Sequence, residues 1–488
     1  MTGGVRLLTL LAGMSDAVVP ENCSVTGVAL DSRRVAGGEL FLACPGTVLD
    51  GRAFIDEALD RGAVAVAYEP QGFERTAFAV PAISVTGLAD RVSEIGARFY
   101  GRPSADLYVI GVTGTNGKTS CAHFIAQCLE RLGERARVIG TLGSGDPRHP
   151  DTGGDGRNLT TPGPLDLQRL LRQFADDGAT HVAMEVSSHA LKQERVSAVE
   201  FDAAVFTNLT RDHLDYHGHI EDYAASKKSL FAFESLRFVV VNADDPVGRE
   251  ILNEVASPVL SFGDSGDIRA AGLEVGEAGF SMRITGAERP LDISVALVGR
   301  VNVANVLAVA AVLLKMGYRP AAVESALNDL SPVPGRMELF RSPDGGPTAV
   351  VDYAHTPDAL ERALRSVREH CKGGLWCVFG CGGDRDRGKR PEMGRIAEKW
   401  ADHVVLTNDN PRGEQPAQIV ADILGGMDAS PQVALDRRQA IASALGTAQP
   451  GDWVLIAGKG HETSQVIGDT VIPFDDREVV SSCLGKAA

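Results

Sequence analysis

The chain has 488 residues, of which 44% are hydrophobic and 23% charged, a composition typical of a globular protein of about two to four domains. Its formal net charge of −16 argues against binding to nucleic acid or to an anionic membrane surface, because the field of the whole molecule repels polyanions. The eight cysteines lack paired C-x-x-C spacing and the density of a disulfide scaffold, so we expect reduced thiols in the cytoplasm.

Near the start of the chain stands "VRLLTLLAG" (5–13), which we interpret as the first helix because it lacks the small-residue cleavage site of a signal peptide. No apolar run approaches the ~20 residues of a membrane helix, so we expect no membrane insertion. Pro and Gly concentrate in "YGRPSAD" (100–106) and "LSPVPGRME" (330–338), which indicates two joints. We therefore predict three domains, at residues 1–103, 104–333 and 334–488.

Short apolar runs alternate with helical patterns between the two joints. The predicted strands there are "LYVIGVTG", "HVAMEVSS", "AAVFTNLT" and "FVVVNADD", and the last third repeats the rhythm with "TAVVDYAHTP", "LWCVFGCGGD", "HVVLTNDNPR" and "DWVLIAGKGHE". This alternation predicts an α/β fold with parallel sheets flanked by helices. Ligands bind at the carboxyl ends of such strands, so the four loops of the last third should converge on one rim.

The stretch "GVTGTNGKTS" (111–120) has the strand, loop and helix context of a phosphate-binding loop. It departs from the strict P-loop pattern at Val112, where glycine is expected. Gly114 and Gly117 would let backbone N–H groups approach phosphate oxygens, while Lys118 supplies a charge and Thr119 can hold Mg²⁺. The alternative is a glycine-rich turn with a chance lysine. The base is predicted to be adenine, since "NADD" has Ala243 where a GTPase motif needs lysine.

Further along the central region, Glu185 ends a predicted strand and can serve as a carboxylate ligand of Mg²⁺. "TNLTRDHLDYHG" places His213, Asp215 and His217 in a predicted loop, where each histidine taken alone is more often a hydrogen-bonded loop residue.

"GRVNVANVLAV" sets Asn302 and Asn305 on one face of an apolar helix. Their amides need partners, which could be a ligand or a structural bond.

The last third carries a basic loop, "GCGGDRDRGKR", which could be taken for a dinucleotide fingerprint but has Arg385 at the third glycine position. Arginine forks match carboxylates, and "NDNPRG" adds Arg412. "AGKGHE" adds Gly458 and Glu462, the latter able to accept bonds from an ammonium group. The remaining cations of the loop are Arg387, Lys389 and Arg390, for which a solvated loop is the alternative. A nucleotide site and an amino-acid site together are what a carboxylate–amine ligase needs.

The set "TGTNGKT", "EVSSHAL", "FTNLTRDHLDYHG", "GRME", "DYAHTPDAL", "GCGGDRDRGKRP", "DNPR" and "GKGHE" resembles the Mur ligases of peptidoglycan synthesis. Within them it is similar to the branch that adds meso-diaminopimelate to UDP-MurNAc-L-Ala-D-Glu. The match runs from about residue 25 to the C-terminus. The resemblance implies an N-terminal domain for the uridine nucleotide, a central P-loop-type ATPase domain and a C-terminal Rossmann-like domain that binds the amino acid.

The resemblance also implies a set of binding residues. Those for ATP are Gly114, Thr115, Asn116, Gly117, Lys118, Thr119, Ser120, Asn302, Asn305, Arg336 and Asp352. Those for the UDP-MurNAc-dipeptide are Leu30, Ser32, Thr160, Thr161, Ser187, Gln193 and Arg195. Those for meso-diaminopimelate are Arg385, Asp409, Asn410, Pro411, Arg412, Gly458 and Glu462.

For catalysis and for Mg²⁺ the resemblance implies Lys118, Thr119, Glu185, His213 and Lys227, the last as a carbamate. The motif "DNPR" resembles that of enzymes whose arginine meets the distal carboxylate of diaminopimelate, which lysine lacks.

The implied reaction uses ATP and Mg²⁺ to form an acyl phosphate, which the amine then displaces. We expect a cytoplasmic monomer whose partners are its small-molecule substrates. The alternatives are a ligase that adds L-lysine, a ligase like folylpolyglutamate synthetase, and a nucleotide-gated binding protein that forms no bond.

Overall fold

The computed structural model describes residues 4–15, 19–46, 49–75, 77–151 and 159–485. Within these ranges the chain forms two compact units. The first comprises the described residues of Met1–Thr113, Glu134–Ala204 and Ala225–Arg237. The second comprises those of Gly114–Gly133, Val205–Ala224 and Phe238–Ala488.

The N-terminal part of the chain alternates short strands and helices. Its strands are β1 (Val5–Arg6), β2 (Ser24–Val25), β3 (Gly27–Ala29), β4 (Glu39–Ala43), β5 (Ala65–Tyr68) and β6 (Ala82–Ser84). Its helices are α1 (Leu7–Leu10), α2 (Ile55–Asp60) and α3 (Leu88–Phe99), with 3-10 turns at Ser32–Arg34, Gly51–Phe54 and Pro103–Asp106. Strands β3 to β6 pair in chain order and in parallel, with apolar clusters on both faces.

The central part of the chain contains eight further strands and a separate antiparallel sheet of three strands. The eight are β7 (Tyr108–Thr113), β8 (Ala136–Gly140), β9 (Gly143–Gly145), β10 (Pro150–Asp151), β11 (His181–Glu185), β12 (Ala203–Phe206), β13 (Phe238–Asn242) and β14 (Val259–Phe262). The antiparallel sheet is β15 (Arg269–Gly276), β16 (Gly279–Thr285) and β17 (Leu291–Val295). In the first unit β11 pairs in parallel with β7 and β8; in the second, β13 pairs in parallel with β14.

The helices of the central part are α4 (Lys118–Arg131), α5 (Pro164–Asp176), α6 (Ser188–Lys192), α7 (Leu214–His217), α8 (Ile220–Lys228), α9 (Pro246–Glu254), α10 (Arg300–Lys315) and α11 (Pro320–Asn328), with a 3-10 turn at Ser229–Ala232. Local sequence sets several of their starts. Pro164 opens α5, where its missing N–H costs nothing. Ser187 caps α6 by accepting a hydrogen bond from the Ala190 N–H.

The C-terminal part is a doubly wound sheet in the second unit. Its strands are β18 (Glu338–Arg341), β19 (Thr348–Asp352), β20 (Leu375–Phe379), β21 (His403–Leu406), β22 (Gln432–Val433), β23 (Trp453–Ala457), β24 (Ser464–Ile467) and β25 (Thr470–Pro473). Its helices are α12 (Pro357–His370), α13 (Lys389–Trp400), α14 (Pro416–Leu424), α15 (Arg437–Thr447) and α16 (Asp476–Cys483). The sheet order is β18-β19-β23-β20-β21-β22, with only β18 antiparallel, and β24 and β25 form a separate hairpin.

The C-terminal sheet is buried on both faces, which explains why its strands read as unbroken apolar runs. Val350, Cys377 and Leu455 pack on one face, while Val351 and Trp376 pack on the other. Because β19, β20, β21 and β23 are parallel, their carboxyl ends meet at one edge. The rim predicted from the four loops is therefore confirmed.

The predicted α/β class and the eight predicted strands are confirmed, and one helix is shorter than predicted. The first helix covers only Leu7–Leu10, because Val5–Arg6 pairs with Ser24–Val25 instead. None of the described helices is long and apolar enough to cross a membrane.

Candidate active site

The loop Gly114–Ser120 joins β7 to α4, and its conformation requires glycine at two positions. Gly114 has φ +144° and Gly117 has φ +87°, both in the region that disfavours other residues. A Cβ on Gly114 would collide with Thr207, and one on Gly117 would lie 2.6 Å from Asn305 Oδ1. The loop is therefore bare backbone at the N-terminus of a 14-residue helix, which favours anions.

The loop that follows β12 holds this phosphate loop in place. The backbone N–H of Thr115 donates to Asn208 O at 2.8 Å, and that of Asn116 donates to Asn208 Oδ1 at 3.0 Å. The Thr207 hydroxyl donates to Asn116 O at 2.6 Å. These bonds fix the loop before any ligand binds, so binding would require little reorganisation.

Lys118 extends along the same loop. Its Nζ donates to Gly114 O at 2.9 Å and to Thr115 O at 2.8 Å, so its charge lies beside the bare backbone. Thr119 and Ser120 follow in the first helical turn and are buried, with the Thr119 hydroxyl accepting from Arg336 Nη2 at 3.2 Å. The residue types predicted for phosphate binding thus surround one point of the second unit.

The two asparagines of α10 are buried and bonded within the protein. Asn302 Nδ2 donates to Val298 O at 2.9 Å, and Asn305 Nδ2 donates to Asn302 Oδ1 at 3.1 Å. Asn305 Oδ1 faces Gly117 and accepts from Cys121 Sγ at 3.4 Å. The structural alternative accounts for these bonds, and their contact with a nucleotide stays a prediction.

Arg336 and Asp352 lie on the same side of the second unit. The Arg336 guanidinium stacks over the Tyr353 ring, 4.5 Å from its centroid. Asp352 accepts from the backbone N–H groups of Met337 at 2.8 Å and Ala354 at 2.9 Å. Burial raises the pKa of the Asp352 carboxyl, while the Arg336 charge and these backbone bonds oppose that rise.

In the first unit, Glu185 ends β11 and is 1% exposed. Its carboxylate accepts from the Thr141 backbone N–H at 2.7 Å and from the Thr141 hydroxyl at 3.2 Å. The Thr141 hydroxyl also lies 3.1 Å from that of Thr160, while Thr161 donates to Glu185 O at 2.8 Å. Two residues predicted to hold the dipeptide therefore contact the segment that carries Glu185.

The other dipeptide-binding candidates join this network. The backbone N–H of Ser187 donates to Thr161 Oγ1 at 3.0 Å, and Arg195 Nη1 donates to Thr161 O at 3.1 Å. Arg195 Nε also donates to Gln193 Oε1 at 2.9 Å. Five residues scattered over 36 positions of the sequence, 160–195, are thus brought together, as the resemblance implied.

A cavity of about 710 Å³ lies in the first unit, beside the segment that carries Thr160 and Thr161. Leu30, 37% exposed, lines it, whereas Ser32 is buried and donates to Glu57 Oε2 at 2.8 Å. The Ser32 hydroxyl thus already donates within the protein but can still accept hydrogen bonds, and its contact with the UDP-sugar stays a prediction. Sequence reasoning missed three cations of the cavity wall, which share no motif: Arg34, Arg137 and Arg169.

The candidate metal ligands differ in their surroundings. His213 directly precedes α7, has φ +54° and is exposed, with Nε2 3.4 Å from Asp212 Oδ2. The predicted loop is thus in part a helix, since α7 contains positions 215 and 217; the side chain of Asp215 lies outside the described part. Lys227 is 1% exposed although its neighbour Lys228 is half-buried, so Lys227 is the inward lysine of α8.

The described residues contain no group of three His, Cys, Asp or Glu side chains arranged to hold a metal ion. A Mg²⁺ that bridges nucleotide phosphates needs only one or two protein ligands, because phosphates and water supply the rest. The buried carboxylate of Glu185 and the hydroxyl of Thr119 are oxygen donors of the kind that Mg²⁺ prefers. The donor chemistry is therefore compatible with this ion.

The candidate amino-acid pocket lies at the carboxyl ends of β21 and β23. Asn410 Nδ2 donates to Glu462 Oε2 at 2.8 Å, and the Gly458 N–H donates to Asp352 O at 3.1 Å. Asp409 is buried and accepts through its backbone carbonyl from Gln465 Nε2 at 2.6 Å. Four loop residues predicted from separate motifs thus lie at one edge of the sheet: Asp409, Asn410, Gly458 and Glu462.

The hairpin β24–β25 holds the loop that carries Arg412. The Arg412 N–H donates to Val466 O at 3.0 Å, and the Gly468 N–H donates to Arg412 O at 2.7 Å. These bonds keep Arg412 at φ +50°, an uncommon conformation for a residue with a side chain. Its Nη1 donates to Gly383 O at 2.8 Å, and within the described chain its other guanidinium nitrogens make no hydrogen bond.

The basic loop after β20 divides into exposed and structural cations. Arg385 is exposed, with no hydrogen bond or ion pair among the described residues. Arg390 is fully buried and pairs with Glu414 and Asp422, both at 2.8 Å, so it is a structural cation and not part of a solvated loop. Arg387 pairs with Glu414 at 3.1 Å, and Lys389 donates to His355 O at 2.8 Å.

The carbonyl of Pro411 accepts a hydrogen bond from the Glu414 N–H at 3.0 Å, and this bond closes the turn formed by residues 411–414.

A buried ion pair that sequence reasoning missed lies beneath the pocket. Arg437 and Asp476 are both fully buried and meet at 2.7 Å. Arg437 also donates to Asn408 O at 3.1 Å, two residues beyond the end of β21, and to Ala457 O at 3.0 Å, at the end of β23. The pair therefore ties together the two strands that carry the pocket.

Comparison with known proteins gives three matching family profiles. Residues 24–100 match the Mur ligase family, catalytic domain; residues 112–313 match the Mur ligase middle domain; and residues 335–460 match the Mur ligase, glutamate ligase domain.

A relative from Alkalilimnicola ehrlichii, named UDP-N-acetylmuramoyl-L-alanyl-D-glutamate–2,6-diaminopimelate ligase, is 46% identical over 99% of both chains. A solved structure of a ligase of that name is 35% identical, covers 99% of both chains and has a TM-score of 0.70.

MurF ligase from Thermotoga maritima in complex with ADP, 20% identical over 88% of this chain and 93% of its own, has a TM-score of 0.64 and is similar in fold.

Proposed function

The chain belongs to the Mur ligase family, and on that premise we propose that it joins UDP-MurNAc-L-Ala-D-Glu to meso-diaminopimelate with conversion of ATP to ADP and phosphate. The observation that carries the choice of amino acid is the pocket at the ends of β21 and β23. It presents the guanidinium of Arg412 and the carboxylate of Glu462 on one hydrogen-bonded frame. A molecule that bears both carboxylate and ammonium groups matches such a pair of charges.

The proposed reaction has two steps. First, an oxygen of the D-glutamyl carboxylate attacks the γ-phosphorus of ATP, and ADP leaves. Next, the amine of diaminopimelate attacks the acyl carbon, the C–N bond forms, and inorganic phosphate leaves with that oxygen as the amine gives up a proton. Positioning and charge neutralisation account for most of such catalysis.

The phosphate loop supports the first step. Bare backbone at Gly114 and Gly117, the N-terminus of α4 and the Lys118 ammonium would stabilise the charge that develops on the phosphates. Arg336 and Asp352 would contact the nucleotide nearby, since Arg336 reaches the first turn of α4 through Thr119.

Mg²⁺, when bound, would neutralise phosphate charge and orient the γ-phosphate. Taking each unit by itself, its proposed protein ligands are Thr119 and His213 in the second unit, and Glu185 and the carbamate of Lys227 in the first. Lys227 is buried whereas the adjacent Lys228 is only half-buried, which supports Lys227 as the lysine that carries the carbamate. A solvated lysine would not be held in one position, whereas a packed one can present a carbamate oxygen at a fixed point.

Arg412 and Arg385 support a substrate with a distal carboxylate. L-Lysine lacks that group, and a pocket built around Arg412 would leave its charge without a partner. Loss of one partner of a buried, hydrogen-bonded charge pair costs about 2 to 5 kcal/mol, so discrimination of about thirtyfold or more is expected. A ligase that adds L-lysine is therefore disfavoured.

We infer three domains, at residues 1–103, 104–333 and 334–488, and the positions of the matched profiles support this inference. The stretches between the profiles, 101–111 and 314–334, contain the boundaries near 103 and 333. We infer that these joints separate a UDP-MurNAc domain, an ATP domain and an amino-acid domain. A cytoplasmic monomer remains our expectation, because all the proposed substrates are small molecules.

The proposal is tested by following one oxygen. UDP-MurNAc-L-Ala-D-Glu labelled with ¹⁸O in the D-glutamyl carboxylate is incubated with ATP, Mg²⁺ and meso-diaminopimelate, and product and phosphate are analysed by mass spectrometry. We expect a UDP-MurNAc-tripeptide and one ¹⁸O atom in the released phosphate. Unlabelled phosphate would exclude the acyl phosphate, and nucleotide binding without a peptide product would identify a nucleotide-gated binding protein. Glutamylation of a folate would favour the folylpolyglutamate alternative.

A further inference from the structure

Lys459 lies between two residues of the candidate amino-acid pocket. It follows β23, is fully buried, and donates from Nζ to Glu462 Oε2 at 2.7 Å and to Asn410 Oδ1 at 3.2 Å. A buried ammonium is costly unless it is paired and hydrogen-bonded. Both of its partners are side chains that we assign to substrate binding, which sets it apart from the structural pair Arg437–Asp476.

The contacts of Lys459 determine how Asn410 is oriented. An ammonium group only donates hydrogen bonds, so the atom of Asn410 that faces it must be the carbonyl oxygen. The Val466 N–H donates to the same oxygen at 3.0 Å. The amide nitrogen of Asn410 is then left to face Glu462, where it donates to Oε2 at 2.8 Å.

The same contacts determine how Glu462 is oriented. Its Oε2 accepts from both Lys459 and Asn410. Among the described residues, none donates to Oε1, and the side chain retains 30% exposure. One carboxylate oxygen is thus bound internally while the other remains available to an ammonium group.

We propose that Lys459 is a positioning residue for the amino acid: it locks Asn410 and Glu462 in the orientation that receives the amine-bearing end of diaminopimelate. This inference rests on the proposed function. Lys459 touches no reacting atom and acts only through Asn410 and Glu462. It should therefore govern the apparent affinity for the amino acid and leave phosphoryl transfer from a saturated enzyme largely intact.

The test compares Lys459→Met with Lys372→Met, a matched control in which an 86%-exposed lysine loses its ion pair with Glu277. KM is measured separately for diaminopimelate, ATP and UDP-MurNAc-L-Ala-D-Glu, together with kcat. For Lys459→Met we expect KM for diaminopimelate to rise about tenfold or more, as for loss of a hydrogen bond to a charged group. The other two KM values and kcat should change by less than about threefold, and Lys372→Met should match wild type.

Three results would overturn the assignment: an unchanged KM for diaminopimelate, an equal rise in all three KM values, or a fall in kcat alone. If Lys459→Met does not fold, Lys459→Arg decides, because it keeps the charge but displaces the donor. That variant should melt near wild type yet still raise KM for diaminopimelate selectively, and a wild-type KM would overturn the assignment. A wild-type enzyme that needs no diaminopimelate would refute the proposed function itself, which separates the two failures.

Discussion

The phosphate loop Gly114–Ser120 and the loop Asp409–Arg412 are both short segments of the second unit that follow a parallel strand, yet they are held in different ways. The phosphate loop takes its shape from glycines with positive φ and from one neighbouring loop. The Asp409–Arg412 loop depends on hydrogen bonds from the side chains of Lys459 and Gln465 and on backbone bonds to the hairpin β24–β25. The shape of the first loop thus depends chiefly on its glycine backbone, and that of the second chiefly on side chains of another segment.

This difference indicates which loop carries the chemistry of the reaction and which determines the specificity for the amino acid. Bare backbone at a helix N-terminus recognises any phosphate, so the same loop can serve every ligase of the family. A loop whose shape depends on contacting side chains can change its ligand when those side chains change. We therefore expect damage to the first loop to stop the reaction with every amino acid. Damage to the second should alter only the preference among amino acids.

The largest effect is predicted for Lys118→Ala. Loss of a preorganised donor to the transferring phosphate lowers kcat by about a hundredfold to a thousandfold, with KM for diaminopimelate unchanged. Steady-state phosphate release measures both values. Lys315→Ala, at an exposed lysine of α10, should match wild type. Near-normal turnover of Lys118→Ala would break the comparison, because the loop would then not carry the chemistry.

A second large effect is predicted for Lys227→Ala, which removes the proposed carbamate. Loss of a metal ligand of this kind lowers turnover by about a hundredfold, and added bicarbonate should not restore it. The adjacent Lys228→Ala is the control, because that lysine is only half-buried. If both variants or neither lose activity, the assignment of Lys227 is wrong.

The prediction for Arg412→Ala tests the second loop, Asp409–Arg412. The substrate's distal carboxylate loses its partner, so KM for diaminopimelate should rise by about thirtyfold, while KM for ATP stays constant. The control is Arg387→Ala on the neighbouring loop, whose 70%-exposed guanidinium pairs with Glu414 and should contribute little. An unchanged KM in Arg412→Ala would remove that residue from the pocket.

The smallest predicted effect concerns the thermal stability, at acid pH, of the C-terminal part that carries the candidate amino-acid pocket. Hydrogen bonding from Arg390 lowers the pKa of Glu414 to about 2, below the ~4.3 of an unfolded chain. Glu414 thus stabilises the fold above about pH 4.5, and this contribution is lost as pH falls through about 2. The melting temperature of Glu414→Gln should lie below that of wild type at pH 6, and the gap should close with acid.

Glu234→Gln, at an exposed glutamate, is the control for this titration and should show no gap. A gap in Glu414→Gln that is independent of pH would contradict the ionic explanation.

The sequence predicted the two loops unequally well. Gly114, Gly117 and Lys118 form a local motif with a physical meaning, so strand, loop and helix could be predicted together. Arg390 could not be told from Arg385, because only the fold decides which cation of a basic run enters the core. Lys459 stands in the motif "GKGHE" with its partner Glu462, but its burial and its bond to Asn410, 49 positions away, are set by the fold. The pair Arg437–Asp476 gave no signal, since its two members lie 39 positions apart.

The central claim is tested most directly by phosphate release from wild-type enzyme with ATP, Mg²⁺ and UDP-MurNAc-L-Ala-D-Glu, with meso-diaminopimelate, L-lysine or no amino acid. We predict rapid release only with diaminopimelate, since only that substrate offers Arg412 a distal carboxylate. Equal release with L-lysine would contradict the assignment of the pocket. Release that needs no amino acid would contradict the division between the two loops altogether.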